Sequence, residues 1–360
     1  MVVRIVLSYR RFGSTVFIKG GRDLEKVLNK TFYSAYGLII SSELPLNGFE
    51  KIENYNSLIQ SNPSSVDVEI VIEDLTQQWS KLGNESNNFV IKDDFILFHM
   101  PEVVIYRIAK GRQLAVSPLS NEEMSKINLY INGYCMSLLL LQRGILPLHG
   151  SAVVWKDKAY ALIGFSGAGK STLARSLINR GCSFLTDDII PIQMDSNSKT
   201  ASIIPGFPEQ LLWDTSMDGF QMEKSGNRIA YDRTNTNEQY EKNIKYAVKV
   251  PQFLNTNVPL GGIFEIMPAA SVEEVGIYPL TKMKQLQALI LHTFNRTKVP
   301  QMNAMDWHFK YVTELLKITN VYRGKRSTST FVCDDSKQDL AATIIEWIEG
   351  ENDNGKLEFN

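Results

Sequence analysis

The run Gly164-Phe-Ser-Gly-Ala-Gly-Lys-Ser-Thr172 places glycine, lysine and serine at the spacing G-x-x-x-x-G-K-[ST]. Glycines so spaced let backbone N–H groups curl around a phosphate without Cβ clashes, and a helix N-terminus behind them favours negative charge. The pattern assigns the cradle to Gly164, Ser166, Gly167, Ala168, Gly169, Lys170, Ser171 and Thr172. In it Lys170 would reach the outer phosphates and the Ser171 hydroxyl would ligate Mg²⁺. These residues predict binding of a nucleoside triphosphate such as ATP.

Two adjacent carboxylates, Asp187 and Asp188, follow the strand-like Ser183-Phe-Leu-Thr, 16 and 17 residues after Ser171. Read as lying at a strand end, such a pair can divide two tasks. One carboxylate holds Mg²⁺ directly or through water, and the other accepts the proton of an attacking hydroxyl or orients it. His149, in Leu146-Pro-Leu-His-Gly-Ser, lies 21 residues before Lys170, in the segment leading to the phosphate loop. A histidine beside such a base can hold the carboxylate in place or touch a phosphate. Arg143, Arg175, Arg180 and Arg296 are secondary candidates for a phosphate or a peptide carboxylate, though helical arginines more often line a solvated face. Trp213 reads as core before substrate platform, and His292, on an apolar helix, as structural.

These groups need a scaffold. Residues 159–163 form an apolar strand into the loop, and 170–180 a helix with Leu173, Leu177 and Ile178 on one face and Gly181 ending it. Residues 156–159 make a tight turn from a strand at 152–155. A helix spans 121–143, with apolar Ile127, Ile131, Cys135, Leu138 and Leu139 at three- and four-residue steps and Gly144 closing it. Before it, strands are expected at 2–9, 35–41, 66–72, 95–98, 103–109 and 113–117, with a short helix at 23–29. The expected organisation is a β-rich N-terminal partner- or substrate-binding domain over 1–120, an α/β catalytic domain over 121–348 and a polar tail over 349–360. Within the second domain, 214–247 is polar and reads as a long loop, either an active-site lid or a surface insertion. Further elements follow as a strand at 261–267, helices at 282–294 and 305–318, a strand at 320–323 and a helix at 336–348.

At 360 residues, 44% hydrophobic and 21% charged with net charge −1, the chain has length for two cores and no bias toward a nucleic-acid or membrane surface. Its three cysteines, 135, 182 and 333, show no disulfide or metal spacing. Residues 136–141 are the longest strongly apolar run, far below a membrane span, and the N-terminus lacks the apolar length of a secretion signal. A soluble, cytoplasmic protein is expected.

His149-Gly150, Gly164 to Ser171 and Asp187-Asp188 resemble the catalytic domain of HPr kinase/phosphorylase, with the intervals between His, Lys and the Asp pair matching. The constellation is also similar to ATP-dependent phosphoenolpyruvate carboxykinase. The resemblance implies a P-loop kinase domain of that fold, using Mg²⁺ and ATP. By it, Asp187 is the general base toward a serine hydroxyl, Asp188 and Ser171 serve Mg²⁺, and His149 and Lys170 belong to the catalytic centre. The chain departs from those enzymes at Thr172, where they carry an acidic residue, and at Ile204-Pro-Gly-Phe-Pro208, which replaces their Gly-rich phosphorolysis segment. Nor does its N-terminal part resemble their regulatory domain.

A wider resemblance joins the chain to HPr-kinase-like proteins of peptide-modification clusters, including lasso-peptide precursor kinases. It rests on Tyr36-Gly-Leu38, Ser42-Glu-Leu-Pro-Leu46, Gln142-Arg-Gly144, Leu146-Pro-Leu-His149, Pro205-Gly-Phe-Pro208 and Leu212-Trp213. It implies phosphorylation of the C-terminal serine of a precursor peptide, with a peptide or small protein as partner and a homo-oligomer allowed. Other readings are a non-catalytic ATP-dependent docking switch, an HPr-type protein kinase and, more remotely, a carboxykinase.

Overall fold

Among the described residues, apolar, β-branched runs separated by tight turns condense into two large sheets and one small one. The computed structural model describes residues 30–53, 66–83, 87–120, 124–195, 197–232, 244–327 and 339–353. The chain divides into Met1–Lys30, of which only Lys30 is described, and Thr31–Asn360. The expected strand at 2–9, the helix at 23–29, Cys333 and the end of the polar tail lie outside the described residues.

The first sheet comprises β1 (Thr31–Ala35), β2 (Leu38–Ser42), β3 (Glu50–Lys51), β4 (Val68–Ile72), β5 (Phe89–Ile91), β6 (Phe95–Met100), β7 (Val104–Ala109) and β8 (Gln113–Pro118), in the order β3-β1-β2-β4-β8-β7-β6-β5. The strand expected at 35–41 is in fact broken. Tyr36 and Gly37 both adopt left-handed backbone, φ 55° and 66°, and form the two-residue hairpin turn whose twist matches its flanking strands. Ile40, Ile70, Tyr106 and Val116 bury one face of this sheet together with Ile127, Ile131 and Leu138 of the helical segment that follows. That segment is helical from Met124–Tyr130 through Met136–Gln142, with a π turn at Ile131–Cys135 between them. Ile189, Ile204 and Phe207 join the same core from much later in the chain.

The second sheet is built from β9 (Leu146–Trp155), β10 (Lys158–Ile163), β11 (Ser183–Asp195), β12 (Thr200–Ile203), then, after the small sheet, β16 (Val258–Pro268), β17 (Gly276–Pro279) and β18 (Val321–Arg326). Its order is β10-β9-β11-β12-β16-β18-β17, and β10 also pairs with β16, so part of the sheet closes on itself. β10, β16 and β18 run parallel and adjacent. Leu173 and Leu177 of the helix Lys170–Asn179 and Ile344 and Ile348 of the helix Leu340–Asp353 pack with Phe264 in one core. In another, Ala288 and Leu289 of Lys282–Leu291 and Val312 and Leu315 of Met305–Ile318 pack with Leu148, Ala161 and Ile190. Sheets carrying helices in this way make an α/β architecture.

Residues 214–247 are not one long loop. They hold the helix Asp214–Gly219 and two strands, β14 (Arg228–Asp232) and the start of β15 (Ile244–Lys249), which pair in a three-stranded sheet with β13 (Glu209–Trp213) in the order β13-β15-β14. Alternation such as Ile229 out and Ala230 in carried the strand signal, but the polar residues around it masked the pattern. Residues 233–243 are outside the described residues.

Phe207 packs edge-on against Tyr36 at 5.9 Å and tilted against Phe49 at 5.2 Å, so it ties the first sheet to the β12–β13 connection. Phe207→Ala should cost about 3–5 kcal/mol. Chemical denaturation followed by both far- and near-ultraviolet circular dichroism should show both signals shifting together. A near-ultraviolet shift with an unmoved far-ultraviolet transition would contradict this coupling.

Candidate active site

The glycine-rich loop 164–169 joins β10 to the helix Lys170–Asn179, and its geometry explains its glycines. Gly169 caps the helix from a left-handed conformation, φ 87°, which costs a residue with a Cβ far more than glycine. Lys170 is buried, its Nζ donating to the Phe165 carbonyl at 2.9 Å. Burial pushes this ammonium down to about 8, against the pull of Asp187 and Asp188. Phe165, Ser166 and Gly167 are exposed at the loop's rim. Thr172 turns its hydroxyl to Ser216 Oγ at 2.9 Å.

The carboxylate pair does not sit at a strand end. β11 runs on to Asp195, and Asp187 and Asp188 lie in its middle, opposite Ser151 and Gly150 of β9. The strand continues because Ile189, Ile190 and Ile192 are all fully buried, so apolar packing outweighs the turn preference of two aspartates. Asp188 has φ 67°, a left-handed conformation that aspartate tolerates better than most residues.

The two carboxylates have different surroundings. Asp187 is 5% exposed; its Oδ1 accepts from the Ser151 and Ser171 hydroxyls, the latter at 3.0 Å, and its Oδ2 from the Leu211 N–H at 2.9 Å. Asp188 keeps 28% of its side chain exposed and lies 3.6 Å from His149 Nδ1. It also faces the π turn: a Cβ on Gly133 would come within 3.0 Å of its Oδ2. A π turn often marks a functional site, and here the missing side chain of Gly133 leaves room for the Asp188 carboxylate.

His149 sits in β9 with its N–H on the His292 carbonyl at 2.8 Å, its ring edge-on to Phe294 at 5.3 Å and its Nδ1 3.2 Å from the Asp188 carbonyl oxygen. Burial lowers its pKa below the usual histidine value; the Asp188 charge pulls the other way, and Lys170 adds to the lowering. The structure thus brings Lys170, Ser171, Asp187, Asp188 and His149 to one place.

Sequence reasoning missed Gln210, fully buried, whose Nε2 donates to the Ser171 carbonyl at 2.8 Å. It also missed the Tyr36 side chain, whose hydroxyl donates to the Asn132 carbonyl at 3.3 Å. Burial raises the Tyr36 pKa well above normal, and the charges of Asp188 and Asp187 raise it further. No short-range motif marks Gln210, and the motif Tyr36-Gly-Leu38 did not indicate that the Tyr36 hydroxyl reaches the π turn.

Of the secondary candidates, Arg143 pairs with Asp67 at 3.2 Å and Arg180 with Asp339, which makes both parts of the scaffold. Arg296 is exposed in a short 3₁₀ turn. Arg175 is buried with Nε and Nη2 lacking partners among the described residues. Trp213 packs edge-on to Tyr231 at 6.2 Å. His292 follows its helix, which stops at Leu291, and joins Glu265 at 3.2 Å, while Arg323 reaches the same carboxylate at 2.6 Å. Among the described residues no three His, Cys, Asp or Glu form a ready metal cage, and no helix is long and apolar enough to cross a membrane.

No family model matches the sequence, and none of the curated proteins does. Among solved structures, the chain is similar to the HPr(Ser) kinase/phosphatase from Coxiella burnetii, with 11% identity and a TM-score of 0.27 over 57% of this chain and 90% of that one. A likeness at that level carries neither fold nor activity across, so the site's own geometry has to bear the functional reading.

One outcome follows for His149. Its imidazole should titrate below the usual 6.5. Asp188→Asn removes a negative charge that favours the protonated ring, so it should lower the value further. Histidine NMR titration of the two proteins reads both directions; a higher pKa in the variant would contradict the contact.

Proposed function

We propose that this chain is an Mg-ATP-dependent kinase that phosphorylates a serine hydroxyl of a peptide. The carrying observation is the gathering of Ser171, Asp187, Asp188 and His149 around a glycine-rich loop at a helix N-terminus, with Ser171 Oγ 3.0 Å from Asp187 Oδ1. Oxygen donors of this kind fit a hard divalent cation, and bound Mg²⁺ would neutralise charge on the triphosphate oxygens. ATP supplies the phosphoryl group, and Lys170 supplies a cation for its outer phosphates.

The family pattern would make Asp187 the base and put Asp188 with Ser171 on the metal. The contacts favour the opposite division. Asp187 is buried, already accepts three hydrogen bonds and touches the loop serine itself, which suits the metal side. Asp188 is the more open carboxylate, and His149 beside it holds it in orientation. In the step, the serine oxygen attacks the γ-phosphorus, the bond to the β-phosphate oxygen breaks, ADP leaves, and the hydroxyl proton goes to Asp188. Positioning and charge neutralisation carry most of such a transfer.

The peptide acceptor, and its narrower form as the C-terminal serine of a lasso-type precursor, rests on the resemblance at Tyr36-Gly-Leu38 and Pro205-Gly-Phe-Pro208. These two segments meet, with the Tyr36 N–H 3.4 Å from the Gly206 carbonyl oxygen, which supports reading them as one functional unit. In this reading the β-rich part before residue 120 presents the peptide to the site.

Incubation of the full chain with Mg-ATP and serine peptides, with and without a C-terminal serine, should give a mass gain of one phosphate. Saturable nucleotide binding without product on any peptide would point instead to a docking switch. Asp188→Asn should lower kcat by about 10²–10⁴-fold while leaving Mg-ATP binding nearly intact. Asp187→Asn should weaken Mg-ATP binding and turnover together. The reverse pattern would return the base role to Asp187. Because Lys170 titrates near 8, Mg-ATP affinity should be highest below that pH and fall as pH rises through it. In Lys170→Arg, which stays charged, that pH dependence should disappear, as binding titrations from pH 7 to 9 would show.

A further inference from the structure

Parallel strands in an α/β sheet deliver their C-terminal ends to a common edge, where ligands bind. Here β10, β16 and β18 are three such neighbours. The end of β10 carries the phosphate loop. The end of β16 supports it, since a Cβ on Gly164 would come within 2.7 Å of the Ile266 carbonyl oxygen. The last residue of β18 is Arg326, and its guanidinium lies against Gly169 in the space that a Cβ there would occupy.

Among the described residues, five other partly buried arginines each meet a carboxylate, while Arg175 is buried without an ion pair. Arg107 joins Glu73 at 2.6 Å, Arg228 joins Glu209 at 2.5 Å, Arg323 joins Glu265 at 2.6 Å, and Arg143 and Arg180 are paired as described. Arg326 meets none among the described residues. Among the described residues its donors find only two backbone carbonyls, Ser327 at 3.2 Å and Ala168 at 3.5 Å, for a fork of five N–H groups. Burial accordingly draws its pKa below the usual arginine range with no charge opposing that effect. Asp187, the acid that meets the loop at Ser171, is already committed to Ser151, Ser171 and Leu211. A half-buried cation with no counter-charge among the described residues, converging with Lys170 on a loop of backbone N–H groups, matches a multiply charged anion.

We propose that Arg326 is a phosphate ligand of the bound nucleotide, its guanidinium completing from β18 the cradle that the loop makes from β10. A planar, always-charged fork suits phosphate oxygens better than a point charge does. The proposal rests on the nucleotide-binding reading above and adds a residue that no loop motif contains.

The test measures Mg-ATP binding by calorimetry and thermal unfolding without nucleotide, for wild type, Arg326→Met and Arg326→Lys. Methionine keeps an unbranched apolar stem while removing the charge. Arg326→Met should weaken Mg-ATP binding about tenfold or more with its nucleotide-free melting temperature unchanged, and Arg326→Lys should fall between. Unchanged affinity in Arg326→Met would overturn the proposal. So would a loss of affinity matched by a loss of nucleotide-free stability in both variants, since Arg326 would then be a strut of the loop. Failure of the wild type itself to bind Mg-ATP would remove the nucleotide-binding reading and this proposal with it.

Discussion

Strand register is the constraint on which the site depends. Across three adjacent strands, Ile163 of β10 pairs with Gly150 of β9, which pairs with Asp188 of β11; one residue along, Leu162, Ser151 and Asp187 form the next row. These two rows place the start of the glycine-rich loop, the serine that donates to Asp187 and both carboxylates side by side. A one-residue slip of β11 would turn each of its side chains to the other face and part Asp187 from Ser171. Gly150 helps fix the register, because a Cβ there would run into the Leu162 carbonyl. The fully buried Ile189, Ile190 and Ile192 hold β11 in place beyond the pair.

On that frame, charge is distributed unevenly. Asp187 is enclosed and satisfied by donors, while Asp188 is left partly open beside a histidine that burial keeps largely neutral near pH 7. Lys170 and Arg326 approach the loop from two different strands' ends, and burial weakens the hold of both on their protons. Desolvated cations of this kind interact more strongly with an anion than exposed ones do. The first sheet contributes to the same region through Tyr36, whose hydroxyl rests on Asn132, next to the Gly133 that faces Asp188. The sheet before residue 120 and the carboxylate pair are therefore physically connected through one π turn.

The parts of the site legible in the sequence were those set by local backbone needs. Gly164 and Gly169 announce the loop because a strand-to-helix turn with positive φ at those positions favours glycine. The helix after it showed in Leu173, Leu177 and Ile178. Features set by distant packing were harder to read. Two aspartates look like a turn until the buried isoleucines after them are given a partner strand, and Tyr36-Gly37 hides a hairpin inside an otherwise β-like run. The strands β14 and β15 were obscured by polar neighbours that face solvent. Arg326 stands 156 residues after Lys170, and only the parallel pairing of β10, β16 and β18 brings the two ends together.

Isothermal titration of the full-length chain with Mg-ATP tests the central claim most directly. The account predicts saturable binding of one nucleotide per chain, abolished in Lys170→Ala while the variant stays folded by circular dichroism. Absence of saturable binding to the wild type, or equal binding to Lys170→Ala, would contradict it.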